Sequence, residues 1–274
     1  MSRTTTAPAP VPEIDRTDRA TEPLELDAAP LADWLNRPHA DLRRRVLDHL
    51  ATEPFRFDPD LGEAEHRAQV LDVVERLAAD GLGLVGYPAE YGGADDPVGA
   101  MVVFETLAYG DISTVIKFGV QFGLFGGSIY QPGTKKHHDR WLEGIGRLEI
   151  PGCFAMTEIG HGSNVRGIET TATYDSETDE LVVHSPNEAA GKEWIGNAAL
   201  HGRLATVFVK LHVAGENHGV HAVVVPIRDD DHEVMPGVRI DDNGHKACLD
   251  GGHNGKIWFD PVRAPRDHLL DRFG

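Results

Sequence analysis

Hydrophobic periodicity changes once along this chain, near residue 150, and that change restricts the possible folds more than any other feature. From about Leu31 to Gly146 apolar residues recur at helical spacing, whereas from Ile150 onward they come in short runs rich in β-branched residues. The helical pattern is plainest in EAEHRAQVLDVVERLAAD, where Ala64, Ala68, Leu71, Val74 and Ala78 share a predicted face and Gly81 stops the helix. Further helices are predicted over 41–51, 97–109, 113–130 and 133–144. In the second half, ETTATYD and ELVVHS flank Ser176, Glu177, Thr178 and Asp179 as hairpin arms would, and LATVFVKL and GVHAVVVPI read as strands. The predicted fold class is therefore α+β, an all-α N-terminal domain followed by a β-barrel-like domain. The predicted divisions are a leader at 1–30, a helical domain at 31–149, a β domain at 150–266 and the start of a further region at 267–274.

Length and charge narrow the function. A chain of 274 residues is long enough for two domains, each with its own core. A formal charge of −18 repels phosphate backbones and anionic membranes, which argues against nucleic acid as a partner. Two cysteines, Cys153 and Cys248, show neither metal spacing nor a disulfide framework, a pattern suited to a reducing, cytoplasmic setting. The first thirty residues hold Pro8, Pro10, Pro12, Pro23 and Pro30 and no aromatic, so they read as a flexible leader without the apolar core of a signal peptide. The terminal RFG is no peroxisomal address. Ile112 to Tyr130 is the best membrane candidate, yet Lys117, Gln121 and four glycines interrupt it; a buried helix is expected, not a span.

Several apparent motifs fail on context. GLGLVG at 81–86 follows a helix and meets Pro88, whereas a dinucleotide fingerprint follows a strand and opens a helix. KKHH at 135–138 reads as a solvated helix face. His212, His218 and His221 flank a variable-looking loop without a metal-ligand pattern, so no metal site is expected there. Gly162 and Ser163 lack the second glycine of a nucleophile elbow, which disfavours a serine hydrolase.

The segment Cys153 to Glu169, CFAMTEIGHGSNVRGIE, carries the chemistry. Gly160 and Gly162 permit a tight turn with outward main-chain N–H groups, and Thr157, Ser163 and Asn164 add hydroxyl and amide partners, a nest for a planar anionic ligand. AMTE followed by GHGSNVRG closely resembles the flavin-contacting signature of the acyl-CoA dehydrogenase and acyl-CoA oxidase superfamily. GLVGYPAEYGG, GKEWIGN and FDPVRAPRDHLL resemble three further motifs of that family in the same order. His161 in place of a small residue and Asn164 in place of an Asp resemble the oxidase branch.

The resemblance implies an N-terminal helical domain, a middle β-barrel domain and a C-terminal helical bundle, the last expected to be absent here. It implies FAD as cofactor, with Phe154, Met156 and Thr157 along the isoalloxazine edge, Gly162 and Ser163 at the pyrophosphate, Trp194 against a ring face and Gly196 near the reactive edge. The missing side chain at Gly196 is expected to leave room for oxygen. Glu158 is expected to be structural, because the family's catalytic glutamate lies on the bundle, beyond Gly274. The implied reaction oxidises acyl-CoA to trans-2-enoyl-CoA in fatty-acid β-oxidation, with O2 as first-choice acceptor giving H2O2, and a homodimer when full length. An electron-transfer flavoprotein as acceptor, or a noncatalytic flavin- or acyl-CoA-binding fragment, remain alternatives.

Overall fold

The computed structural model describes residues 27–52, 55 and 60–273; most of the predicted leader lies outside the described residues. The short helix α1 (Ala29–Leu35) belongs to a unit that ends at Ala40, and the rest, from Asp41, forms one compact unit. Helices α2 (Ala40–Leu50), α3 (Glu63–Ala79), α4 (Pro97–Leu107), α5 (Ile112–Phe118), α6 (Gly126–Tyr130) and α7 (Lys135–Gly146) precede every described strand. Local chemistry sets where they begin. Asp96 Oδ1 accepts the Gly99 N–H at 2.8 Å just before Pro97 opens α4, and Asp111 Oδ1 accepts the Ser113 N–H at 3.0 Å to start α5.

Three helix expectations need refinement or correction. The predicted helix over 113–130 is continuous, but its middle, Gly119–Phe125, is π-helical, an arrangement that widens the turn and recurs at functional sites. It is long and apolar enough to cross a membrane, yet 67% of its apolar window is buried inside the protein. In α3 the buried face is Val70, Val73, Val74 and Leu77, while Ala64 and Ala68 are exposed. Branched side chains bury several times the area of an alanine methyl, so the helix turns them inward. Likewise the KKHH run is only half solvated: His137 is buried and its Nε2 lies 3.0 Å from the Asp267 carbonyl.

Nine strands follow among the described residues: β1 (Gly152–Ala155), β2 (Thr171–Asp175), β3 (Glu180–His184), β4 (Lys192–Gly196), β5 (Leu204–Val213), β6 (Glu216–Pro226), β7 (Val238–Asp242), β8 (Asn254–Phe259) and β9 (Val262–Pro265). The predicted hairpin is present, with β2 and β3 antiparallel from Thr171↔His184 to Asp175↔Glu180. Long β5 organises the larger sheet, pairing β6 along one edge and, along the other, β1 near its start and β2 near its end. β3 and β9 extend that sheet, and a second sheet has the order β4-β8-β7. The two sheets curl around one core, in which Ile195, Ile257 and Phe259 meet Val207, Val209 and Val225.

The helices have a core of their own around Val74, Leu77, Leu107 and Phe118, but a third cluster belongs to both halves. There Phe125, Ile129, Leu142 and Ile145 pack against Ala222 and Val224 of β6. Buried Gln121 fastens the junction: its amide donates to the carbonyls of Ile145 (3.1 Å) and Ile150 (2.9 Å), and its carbonyl accepts the Gly152 N–H at 2.9 Å. The helical and sheet halves are thus coupled. Phe125→Ala, which empties the shared cluster, is expected to lower stability by about 3–5 kcal/mol in urea unfolding with one cooperative transition. A loss below about 1 kcal/mol would show that the cluster does not bear the junction.

Candidate functional site

After β1 the signature segment runs antiparallel beside β4. The Glu193 N–H donates to the Thr157 carbonyl at 2.9 Å, Ile159 N–H to Gly191 and Gly160 N–H to Ala189, with Glu158 facing Lys192. This pairing brings Thr157 alongside the strand that carries Trp194 and Gly196. Phe154 sits on β1 with its ring 4.8 Å from that of Phe208, and the Met156 carbonyl accepts from Lys192 Nζ at 3.3 Å. Gly162 and Ser163 occupy the exposed outer end of the segment. Nothing lies within 4 Å of where a Gly162 side chain would begin, and among the described residues their N–H groups meet no protein acceptor.

One buried ion pair holds this arrangement. Glu158 and Lys192 side chains are both fully buried, with Lys192 Nζ 3.0 Å from Glu158 Oε1. The ammonium also donates to the Phe208 carbonyl at 2.6 Å, and Glu158 accepts from the Thr170 hydroxyl (2.6 Å), the Thr170 N–H (2.9 Å) and the Glu169 N–H (2.7 Å). Burial opposes ionisation of Glu158, but the Lys192 charge and these donors outweigh it and hold the carboxyl below its usual range. Burial draws Lys192 down to about 8 against the pull of Glu158, so both are charged at neutral pH. With its oxygens committed in this way, Glu158 is placed to brace the segment, not to move a substrate proton.

Trp194 is the outlier of the sheet. Its φ is +62°, a conformation rarely adopted by a bulky residue, and its side chain is 54% exposed. A β-bulge between Lys192 and Ile195 and a hydrogen bond from Asn254 Nδ2 to the Trp194 carbonyl (2.9 Å) hold it there. The strained backbone leaves the indole half exposed.

Beside Trp194, Gly196 corrects the expectation of open room. A Cβ there would lie 2.6 Å from Cγ2 of Val120, so the space left by the missing side chain is filled by valine methyls from the π-helical segment. Val120 in turn lines an apolar groove of about 410 Å³, walled by Tyr87, Phe104, Ile116, Phe118 and Phe122. The groove and the Trp194 strand therefore meet at the Val120–Gly196 contact. Among the described residues no carboxylate lines it. Sequence reasoning missed this groove; among the glycines that interrupt the 112–130 helix, Gly119 and Gly123 line it.

Cys153 and one surface cluster offer little chemistry. Burial pushes the Cys153 thiol up to about 12, leaving it inert at neutral pH. Glu63, His245 and Asp250 bring three ligand-type atoms within 4.8 Å, but Glu63 is paired with Arg67 and His245 with Asp250 at 2.8 Å.

The profile of the acyl-CoA dehydrogenase N-terminal domain matches residues 39–149, and that of the acyl-CoA dehydrogenase middle domain matches residues 153–262. Peroxisomal acyl-coenzyme A oxidase 2 of Arabidopsis thaliana is 40% identical over 274 residues, covering 97% of this chain and 39% of that protein. The crystal structure of acyl-CoA oxidase1 from Yarrowia lipolytica superposes with a TM-score of 0.79 at 32% identity, over 89% of this chain and 35% of that one. Acyl-CoA oxidase-1 of Caenorhabditis elegans, complexed with FAD and ATP, gives 0.71 at 29% identity, over 90% and 38%. The chain belongs to the acyl-CoA oxidase and dehydrogenase family of oxidoreductases, through its N-terminal and middle domains. It spans 39% of the length of the plant relative.

Glu158→Gln would leave the Lys192 charge buried and uncompensated, and is expected to cost about 3–5 kcal/mol in urea unfolding. Because the Glu158 carboxyl lies below its reference value of 4.5 in the fold, the wild type should keep this stabilisation above that pH and lose it as pH falls further. The variant should lack that part of the acid dependence, and equal slopes would place the acid response elsewhere.

Proposed function

We propose that this chain forms the FAD-holding half of an acyl-CoA oxidase, converting acyl-CoA and O2 to trans-2-enoyl-CoA and H2O2 in fatty-acid β-oxidation. The observation that carries this reading is the exposed, strained Trp194, on a strand that pairs beside Thr157 and meets the groove-lining Val120 at Gly196. The Trp194 indole offers a flat apolar face to the ring system, and Thr157 offers its hydroxyl at the ring's edge. Phe154 and Met156 extend that edge, Gly196 closes it, and the free N–H groups of Gly162 and Ser163 suit a pyrophosphate.

When bound, FAD supplies the two-electron acceptor. The chain's own residues orient substrate and exclude water: the groove at Val120, Phe104 and Phe122 takes apolar carbon, and its contact with Gly196 brings that carbon toward the cofactor's position. The described groove lacks a carboxylate, so the base that removes the α proton is not among the residues that line it. Turnover therefore needs more than the groove residues, and a homodimer is proposed for the complete enzyme. A cytoplasmic setting, suited to two free cysteines, is proposed alongside the peroxisomal names of the plant relatives.

The relatives' names as oxidases favour O2 over an electron-transfer flavoprotein. The lack of a groove carboxylate favours a second reading, in which these residues alone bind flavin or acyl-CoA without turnover. Titrating the purified chain with FAD, then adding acyl-CoA without oxygen, separates the readings. Bleaching that oxygen reverses with release of H2O2 supports the oxidase, and bound flavin that never bleaches supports the binding module. Trp194→Ala is expected to weaken FAD binding roughly tenfold, about 1.4 kcal/mol, without loss of fold. Unchanged affinity in that variant would remove Trp194 from the cofactor site.

A further inference from the structure

Behind the Trp194 strand lies a polar cluster that the proposed reaction does not use. Lys117, on α5, is 4% exposed, and Nζ lies 2.8 Å from Asn197 Oδ1, 3.0 Å from His201 Nδ1 and 3.0 Å from His253 Nε2. The two imidazole nitrogens are themselves 2.7 Å apart, with their rings nearly perpendicular. Among the described residues no carboxylate bonds the lysine. Asn197, with φ of +68°, follows Gly196 directly and donates through Nδ2 to the Gly152 carbonyl at 3.0 Å. The cluster thereby ties α5, the start of β1 and the turn after Trp194 together.

Proton bookkeeping selects one state of this cluster. The Leu200 N–H donates to His253 Nδ1 (3.3 Å), so a neutral His253 carries its proton on Nε2 and is a donor there. An ammonium at Lys117 would aim its third N–H at that donor. An uncharged amine instead gives two N–H groups to Asn197 and His201 and accepts with its lone pair from the His253 Nε2–H, which it shares with the His201 Nδ1 lone pair 2.7 Å away. We propose that Lys117 is a positioning residue that works as an uncharged amine, closing a hydrogen-bonded ring with Asn197, His201 and His253 that fixes the Trp194–Asn197 turn, and that a proton on Lys117 opens the ring.

The surroundings agree with that assignment. Glu75 and Arg67 face the cluster from α3, the His66–Asp111 pair joins α3 to the start of α5, Cys153 approaches from β1, and Arg228 and His232 act on His201. Burial is the largest influence on Lys117 and lowers it to about 7, with only Cys153 and Glu75 opposing. Burial is also the largest influence on both histidines, bringing His201 down to about 3 and lowering His253, which keeps both rings neutral. A lysine lowered in the fold binds its proton more readily in the unfolded chain. Its contribution to stability is therefore complete above the reference value of 10.5 and is lost as pH falls toward 7.

The link to the cofactor rests on the proposed function, whereas the ring itself does not. Lysine-selective NMR titration of the full chain, with the Lys117 signal identified by its absence from Lys117→Arg, should give a midpoint near 7. Amide protection at Ile195–Asn197, corrected for intrinsic exchange, should fall up to about tenfold per pH unit below that midpoint. Lys117→Arg, charged at every accessible pH, should lack this protection at pH 8. A Lys117 midpoint above 9, or wild-type protection in the arginine variant, overturns the proposal; if that variant fails to fold, the wild-type exchange profile decides alone, and a profile flat from pH 6 to 8 overturns it. FAD affinity should follow the same pH course. Flavin that binds with no pH dependence in this window counts against the ring's role at the site, whereas no flavin binding at any pH defeats the flavin reading and leaves the NMR outcome to judge the ring.

Discussion

The Glu158–Lys192 ion pair is the interaction on which the site's geometry depends. Two opposite charges withdrawn from water are tolerated only with good geometry and further hydrogen bonds, and here Thr170, Glu169 and Phe208 provide them. Because each partner comes from a different stretch of chain, satisfying the pair forces the signature segment to lie along β4. Everything that gathers around Thr157, Trp194 and Gly196 follows from that alignment.

The second constraint is the seam between helices and sheet. Phe125 and its neighbours pack on β6, Gln121 binds both the end of the helical half and the first strand, and Val120 fills the space beside Gly196. The π-helical turn lets one rod do all three. It lines the groove on one side and meets the site strand on another, so the groove's position relative to Trp194 is set by helix geometry as well as by the sheet. Lys117, one turn earlier on the same rod, adds a polar tie to the same strand.

Much of the architecture was legible in the sequence. Helix starts at Asp96 and Asp111 carry their own caps, the 171–184 hairpin carries its turn residues, and the switch of period near residue 150 marks where strands begin. The helical face of α3 was misread because alanines satisfy a spacing rule without supplying the burial that decides which side faces inward. KKHH looked solvated because charge along a helix says nothing about which histidine reaches a distant carbonyl, as His137 does at Asp267. Gly196 looked like open space because no local rule reveals that Val120, far away in sequence, occupies it.

By itself the sequence determined the order of a helical and a strand-rich half, the family signature from Cys153 to Glu169, and the residue types a flavin would need. Those properties depend on local spacing and backbone preference, which act over a few residues. Only the tertiary structure decided that Glu158 is spent on Lys192, that Trp194 is strained and outward, and that Lys117 sits among two histidines and an asparagine, with no carboxylate partner among the described residues. Desolvation and hydrogen-bond satisfaction depend on groups brought together from separate elements, and no reading of neighbours along the chain contains them.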